Sequence, residues 1–115
     1  MHPFFKSFHY AYKGIQHCII AERNMKFHTI AAIGVIVGGI LTGLSKMEWI
    51  IIILLIGGML ALELLNTAIE RTVDLVTEEF HPLAKQAKDL ASGAVLIFAI
   101  CCAIIGMIIF IPKWL

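Results

Sequence analysis

The polar and apolar positions divide the chain into four stretches. Between residues 4 and 20, Phe4, Phe5, Phe8, Ala11, Tyr12, Ile15, Cys18 and Ile19 recur at helical spacing, and Lys6, His9, Lys13, Gln16 and His17 fall between them. This predicts a surface helix over 4–20, amphipathic and lying in a membrane interface. Packing on other protein is an equally good and compatible reading. A polar interruption runs from Ala21 to His28, and 16 uncharged residues follow from Thr29 to Leu44. That is roughly 24 Å of helix. Phe27 and a snorkelling Lys26 extend it to a first span over about 27–45. The pairs Gly34/Gly38 and Gly39/Gly43 have small-xxx-small spacing and predict close helix packing.

Ser45-Lys46-Met47-Glu48 is a tight connection. An uncharged run from Trp49 to Leu62 then passes into Glu63, Asn66, Glu70 and Asp74 with no helix breaker between. The last three lie three, seven and eleven residues after Glu63. At 3.6 residues per turn these steps return close to one direction, so the four side chains form one polar stripe. The second span is expected over about 48–70, with the helix running on into water. A loop at Thr77-Glu78-Glu79-Phe80-His81-Pro82 separates it from a third helix, for which Pro82 suits the first position. The third span is expected over about 88–111. Pro112-Lys113-Trp114-Leu115 closes it, which sets Trp114 beside Trp49 in one aromatic belt.

Composition supports this division. Apolar residues make up 60% of the 115 positions and charged residues 15%; mean hydropathy is +0.92. A water-soluble domain of this size could not cover so much apolar surface. The fold class is therefore all-α integral membrane, three spans plus one interfacial helix, in one domain over residues 1–115. A net charge of +1 gives no sign of a nucleic-acid partner. Cys18, Cys101 and Cys102 lack metal-ligand spacing and read as small hydrophobes. The first residues show no signal-peptide pattern.

Basic residues set an orientation. Lys6, Lys13, Arg23, Lys26, Arg71, Lys85 and Lys88 share one side of the membrane; Lys46 and Lys113 share the other. This bias predicts a cytoplasmic N-terminus. Seven of the eight acids lie on that same side. Packed together, Glu22, the stripe, Glu78, Glu79, His81, Lys88 and Asp89 would make an acidic pocket with one lysine. Oxygen ligands of this kind suit Mg²⁺, a lysine suits a phosphate, and a further carboxylate can take a proton from an alcohol. Those are the parts phosphoryl transfer needs. Neither a P-loop nor a G-x-G-x-x-G motif is present. Residues alone leave three readings: a phosphotransferase, a proton-coupled transporter that titrates Glu63, and a non-catalytic assembly subunit in which Glu63 is a structural acid.

The run Glu63-x-x-Asn66-Thr67-Ala68-Ile69-Glu70-x-x-Val73-Asp74, followed by Ala87-Lys88-Asp89-x-Ala91-Ser92-x-Ala94-Val95, resembles the signature of the small prokaryotic diacylglycerol kinases, a family that includes the undecaprenol kinases of Gram-positive bacteria. Tyr10-x-x-Lys13-Gly14 and Glu22-x-Asn24 carry the likeness to the start of the chain. The resemblance implies a homotrimeric lipid kinase of the bacterial plasma membrane that uses Mg-ATP. It implies Glu63 as the base at the lipid hydroxyl and Glu22 and Glu70 as Mg²⁺ carboxylates. Lys88 and Asp89 would engage the nucleotide, with Asn66, Tyr10 and the Glu79-Phe80-His81 loop close to it. Ser92 would line the lipid site. The short Met1-His2-Pro3 start lacks a basic residue that some members use near the substrate. Phe80-His81-Pro82 and Glu22-Arg23-Asn24 are closer to the Gram-positive branch, which implies undecaprenol ahead of diacylglycerol as acceptor.

Overall fold

The computed structural model describes residues 2–115; Met1, part of the short Met1-His2-Pro3 start, lies outside the described residues. Four helices follow one another: α1 over Pro3–Ala21, α2 over Arg23–Thr42, α3 over Lys46–Val76 and α4 over Pro82–Trp114. The last three are long and apolar enough to cross a membrane. α3, at 31 residues, and α4, at 33, run beyond their expected spans at both ends; α2 starts earlier than its expected span of about 27–45 and stops short of its end, at Thr42.

Local chemistry places each boundary. His2 caps α1 by accepting a hydrogen bond from the Phe4 N–H, with Pro3 at the first helical position. Glu22 alone separates α1 from α2; its extended backbone (φ −104°, ψ 124°) turns the chain from one helix into the next. Gly43 ends α2 at φ 80°, a left-handed conformation that favours glycine. Ser45 and Glu48 form a reciprocal capping box at the start of α3. His81 caps α4 through Nδ1, ahead of Pro82.

The short turn after Gly43 makes α2 and α3 an antiparallel pair, and α4 returns along α3. Contacts at four heights fix the α3/α4 register. Lys113 pairs with Glu48 at 3.1 Å and the Cys102 thiol faces the Leu55 carbonyl at 4.0 Å. Phe98 sits over Gly58, and Lys88 meets Asp74 at 2.6 Å. At the Gly43 end the Trp114 indole donates to Thr42 at 2.9 Å. Trp49 lies against Gly39 at the same end, so the two tryptophans share a level as expected.

Glycine roles differ from the spacing argument. Gly34 and Gly38 have open space where a Cβ would stand. Close approach falls instead to Gly39, under Trp49 and Leu44, and to Gly58, under Phe98. Spacing marks small residues but does not say which face meets a neighbour.

The molecule measures 51 × 42 × 20 Å. A body 20 Å thick is about two helix diameters, so most apolar side chains of the spans face outward. The buried apolar cluster is small: Ile52, Ile109 and Phe110, with Val35, Leu44, Ile51, Ile56 and Ile105 against it.

Candidate active site

The turn at Gly43 is one end of the hairpin, and the polar stripe is at the other. Glu63 follows Ser45 by 18 residues, and His28 precedes Gly43 by 15. At 1.5 Å per residue both stand roughly 22–27 Å from the turn, close to a full hydrocarbon thickness away. There the two side chains meet: His28 Nε2 lies 3.7 Å from Glu63 Oε2. Glu63 is only 2% exposed, the most buried charged side chain among the described residues. Its Oε2 has no hydrogen-bond partner among them, and neither does Asn66 Oδ1. A buried acceptor left without a donor costs about 1–3 kcal/mol, and such costs concentrate where a site is kept for use.

An apolar groove of about 480 Å³ leads to this pair between α2, α3 and α4. Trp114 lines one end and His28 the other; Val35, Ile52, Ile56, Cys102 and Gly106 lie between. Met59, one turn before Glu63, also lines it. The groove is hydrophobic along its length; Glu63 lies just past its lining, 3.7 Å from the His28 that ends it.

Further along α3 the stripe pairs with neighbouring helices. Asn66 donates through Nδ2 to Glu70 at 3.1 Å. Arg71 donates to Glu22 Oε1 at 2.7 Å and to His17 Nε2 at 2.5 Å, which ties α1, the α1/α2 corner and α3 together. Cys18, buried on α1, directs its thiol at Thr67 Oγ1 at 3.6 Å. Lys88 donates to Asp74, while its sequence neighbour Asp89 takes Lys85 at 2.5 Å. Adjacent residues on a helix point about 100° apart, so Lys88 and Asp89 face different partners.

The expected acidic pocket is thus divided into pairs within one chain. Glu63, Asn66, Glu70, Asp74 and Lys88 follow one line from the groove toward the α3/α4 loop. Glu22 joins that line through Arg71. Tyr10, Glu79, Phe80, His81 and Ser92 are exposed, and none bonds to a member of the line. Among the described residues no three His, Cys, Asp or Glu side chains converge as a metal cage. A Mg²⁺ ion that arrives with a nucleotide needs only one or two carboxylates. Glu70 accepts one hydrogen bond from Asn66, and Glu22 stands beside Arg71, the next residue of α3; the donor chemistry of this pair fits such an ion.

Sequence reasoning passed over two partners. In the sequence His28 is only the last residue of a polar interruption, and Arg71 only one of the basic residues that set the orientation. Each is polar among apolar neighbours, which was the available signal; their partners lie 35 and 49 residues away in the chain.

The sequence profile described as prokaryotic diacylglycerol kinase matches residues 9–110. The chain belongs to that family. It is 58% identical to the undecaprenol kinase of Bacillus subtilis over 113 residues, covering 98% of this chain and 92% of that protein. It is 40% identical to a diacylglycerol kinase of Synechocystis over 110 residues, 95% of this chain and 63% of that protein. The diacylglycerol kinase of Escherichia coli K12 shares 32% over 96 residues, 84% of this chain and 78% of its own. As a member of this lipid kinase family the chain is an enzyme, and its three apolar helices suit a multi-pass membrane protein.

Proposed function

We propose that residues 1–115 act as one lipid kinase domain that transfers the γ-phosphoryl group of Mg-ATP to the hydroxyl of undecaprenol. The observation that carries this reading is Glu63: buried, with an unpartnered oxygen, 3.7 Å from the His28 that lines the end of the hydrophobic groove. The 58% identity to an undecaprenol kinase selects the acceptor. Diacylglycerol is the second reading, because the Synechocystis and Escherichia coli relatives bear that name.

In this reading the acceptor's chain lies in the groove and its hydroxyl reaches Glu63. Glu63 takes the hydroxyl proton as the acceptor oxygen attacks the γ-phosphorus, and the bond to the β–γ bridging oxygen breaks to release ADP. Glu22 and Glu70 hold Mg²⁺; when bound, the ion offsets charge on the β- and γ-phosphates. Lys88 leaves Asp74 for the phosphates, and Asp89 engages the nucleotide. Asn66 holds Glu70. Tyr10 and Glu79-Phe80-His81 flank the nucleotide, and Ser92 lines the lipid site. Tyr10, Glu79, Phe80, His81 and Ser92 are exposed and bond to none of the other site residues within one chain, which favours a homotrimer with sites built between neighbouring copies. The α1 helix lies in the interface, and the N-terminus and site face the cytoplasm, where ATP is found.

Turnover of undecaprenol and diacylglycerol by the purified protein in mixed micelles with Mg-ATP tests the reading. A higher kcat/KM for undecaprenol is expected. A preference for diacylglycerol would exchange the two readings. Transfer to neither, together with pH-driven flux in liposomes without ATP, would replace the kinase by a transporter.

A further inference from the structure

We propose that His28 contacts the acceptor: its Nε2–H donates a hydrogen bond to the lipid oxygen while Glu63 removes that oxygen's proton. This rests on the reading of Glu63 as the base and adds a second group to the same oxygen.

The geometry is specific. The 3.7 Å between His28 Nε2 and Glu63 Oε2 is too long for a direct hydrogen bond. A single oxygen within about 2.8 Å of both atoms closes the gap, and an alcohol can donate to the carboxylate and accept from the imidazole at once. Glu63 Oε2 lacks any hydrogen-bond partner among the described residues, and the charged partner of the His28 ring there is Glu63. Apart from the Cys102 thiol, His28 is also the one ionisable side chain lining the groove, at the end next to Glu63. Its side chain is 16% exposed, and the Phe27 ring stands edge-on beside it at 5.5 Å. An imidazole there is dry enough for its N–H to count strongly and open enough to be reached along the groove.

The step balances without any added reactant. The acceptor O–H bond breaks and its proton goes to Glu63 Oε2. The freed oxygen pair forms the bond to the γ-phosphorus, and the leaving pair goes to the β–γ bridging oxygen of ADP. His28 keeps its proton throughout and stabilises the negative charge that gathers on the acceptor oxygen in the transition state.

Three variants of the full-length protein decide it, assayed in mixed micelles with undecaprenol and Mg-ATP. His28→Leu should lower kcat about 100-fold, the usual loss for one such donor, with the KM for Mg-ATP unchanged. His28→Gln places an amide N–H near the position of Nε2 and should keep most of the activity. His28→Asn is polar but too short to reach, and should fall with the Leu form. The proposal is overturned by a His28→Leu form within about two-fold of wild type, or by a KM for Mg-ATP that rises in step with the loss. If His28→Leu does not fold, equal activities of the Gln and Asn forms overturn it instead. Glu63→Gln separates the two levels. Full activity there removes the base and this proposal with it; an inactive Glu63→Gln beside a fully active His28→Leu removes this proposal alone.

Discussion

Arg71 on α3 reaches Glu22 at the α1/α2 corner with a 2.7 Å hydrogen bond, and its second terminal nitrogen reaches His17 on α1 at 2.5 Å. Arginine has donors only, so His17 accepts here through Nε2. The two bonds use the fork of the guanidinium, and they hold the one non-helical residue between α1 and α2. Glu22 makes no side-chain cap on α2; its carboxylate is turned to Arg71 instead.

Arg71→Met should therefore act on the nucleotide end of the site. The pair is part-exposed, 47% and 31%, so its loss should cost stability only about 0.2–1 kcal/mol. The KM for Mg-ATP should rise several-fold while the KM for the lipid stays near wild type. Arg71→Lys should lie between, because an ammonium cannot present the two-pronged geometry. Steady-state kinetics with each substrate varied in turn check this, and equal changes in both constants would refute it.

Glu63→Gln should separate activity from stability. Removing the base should lower kcat by at least about 100-fold. The same change replaces a buried carboxylate, with one oxygen unpartnered, by a neutral amide of equal size. Burying an amide costs less than burying a charge. The melting temperature in detergent should therefore equal or exceed that of wild type. A variant that loses both activity and stability would show that Glu63 holds the helices together.

The four helices were legible in the chain because their signals are local. Pro82 and the Ser45–Glu48 connection mark boundaries within a few residues of where they act, whereas Gly43, whose spacing from Gly39 suggested packing, ends α2 ahead of the expected 45. The stripe was legible for the same reason, since one helix fixes the spacing of Glu63, Asn66 and Glu70. Partners were not legible. His28–Glu63, Arg71–Glu22 and Cys18–Thr67 depend on the register of the hairpin and on the bend at Glu22, which no periodicity in a single helix encodes. The glycines show the same limit. Gly34/Gly38 has the packing motif and meets nothing within 4 Å, whereas Gly58 takes the Phe98 ring.

Gly58→Ala tests that contact. A Cβ at Gly58 would stand 2.5 Å from Phe98 Cζ and within 3.2 Å of two further ring carbons. A phenyl ring is rigid, so α3 and α4 must part or the ring must leave its rotamer. The expected loss of stability is about 1–3 kcal/mol. Phe98→Leu in the same chain should recover most of it. Unfolding in detergent with added denaturant gives the comparison, and a Gly58→Ala form as stable as wild type would place Phe98 elsewhere.

Gly106→Phe tests the groove as the path of the acceptor chain. Gly106 lines the groove on α4, well away from Glu63, and nothing stands within 4 Å of its would-be Cβ. The backbone therefore accepts a side chain there without strain, and a phenyl ring fills volume that an acyl or isoprenoid chain would occupy. The lost burial should weaken the lipid by about 1.4 kcal/mol, a ten-fold rise in its KM. The KM for Mg-ATP should not move, because the residues proposed to hold the nucleotide lie beyond Glu63, further from Gly106 along α3. Gly106→Ala, which barely enters the groove, should behave as wild type. A Gly106→Phe form with an unchanged KM for undecaprenol would mean that the chain approaches Glu63 from another face of the helices.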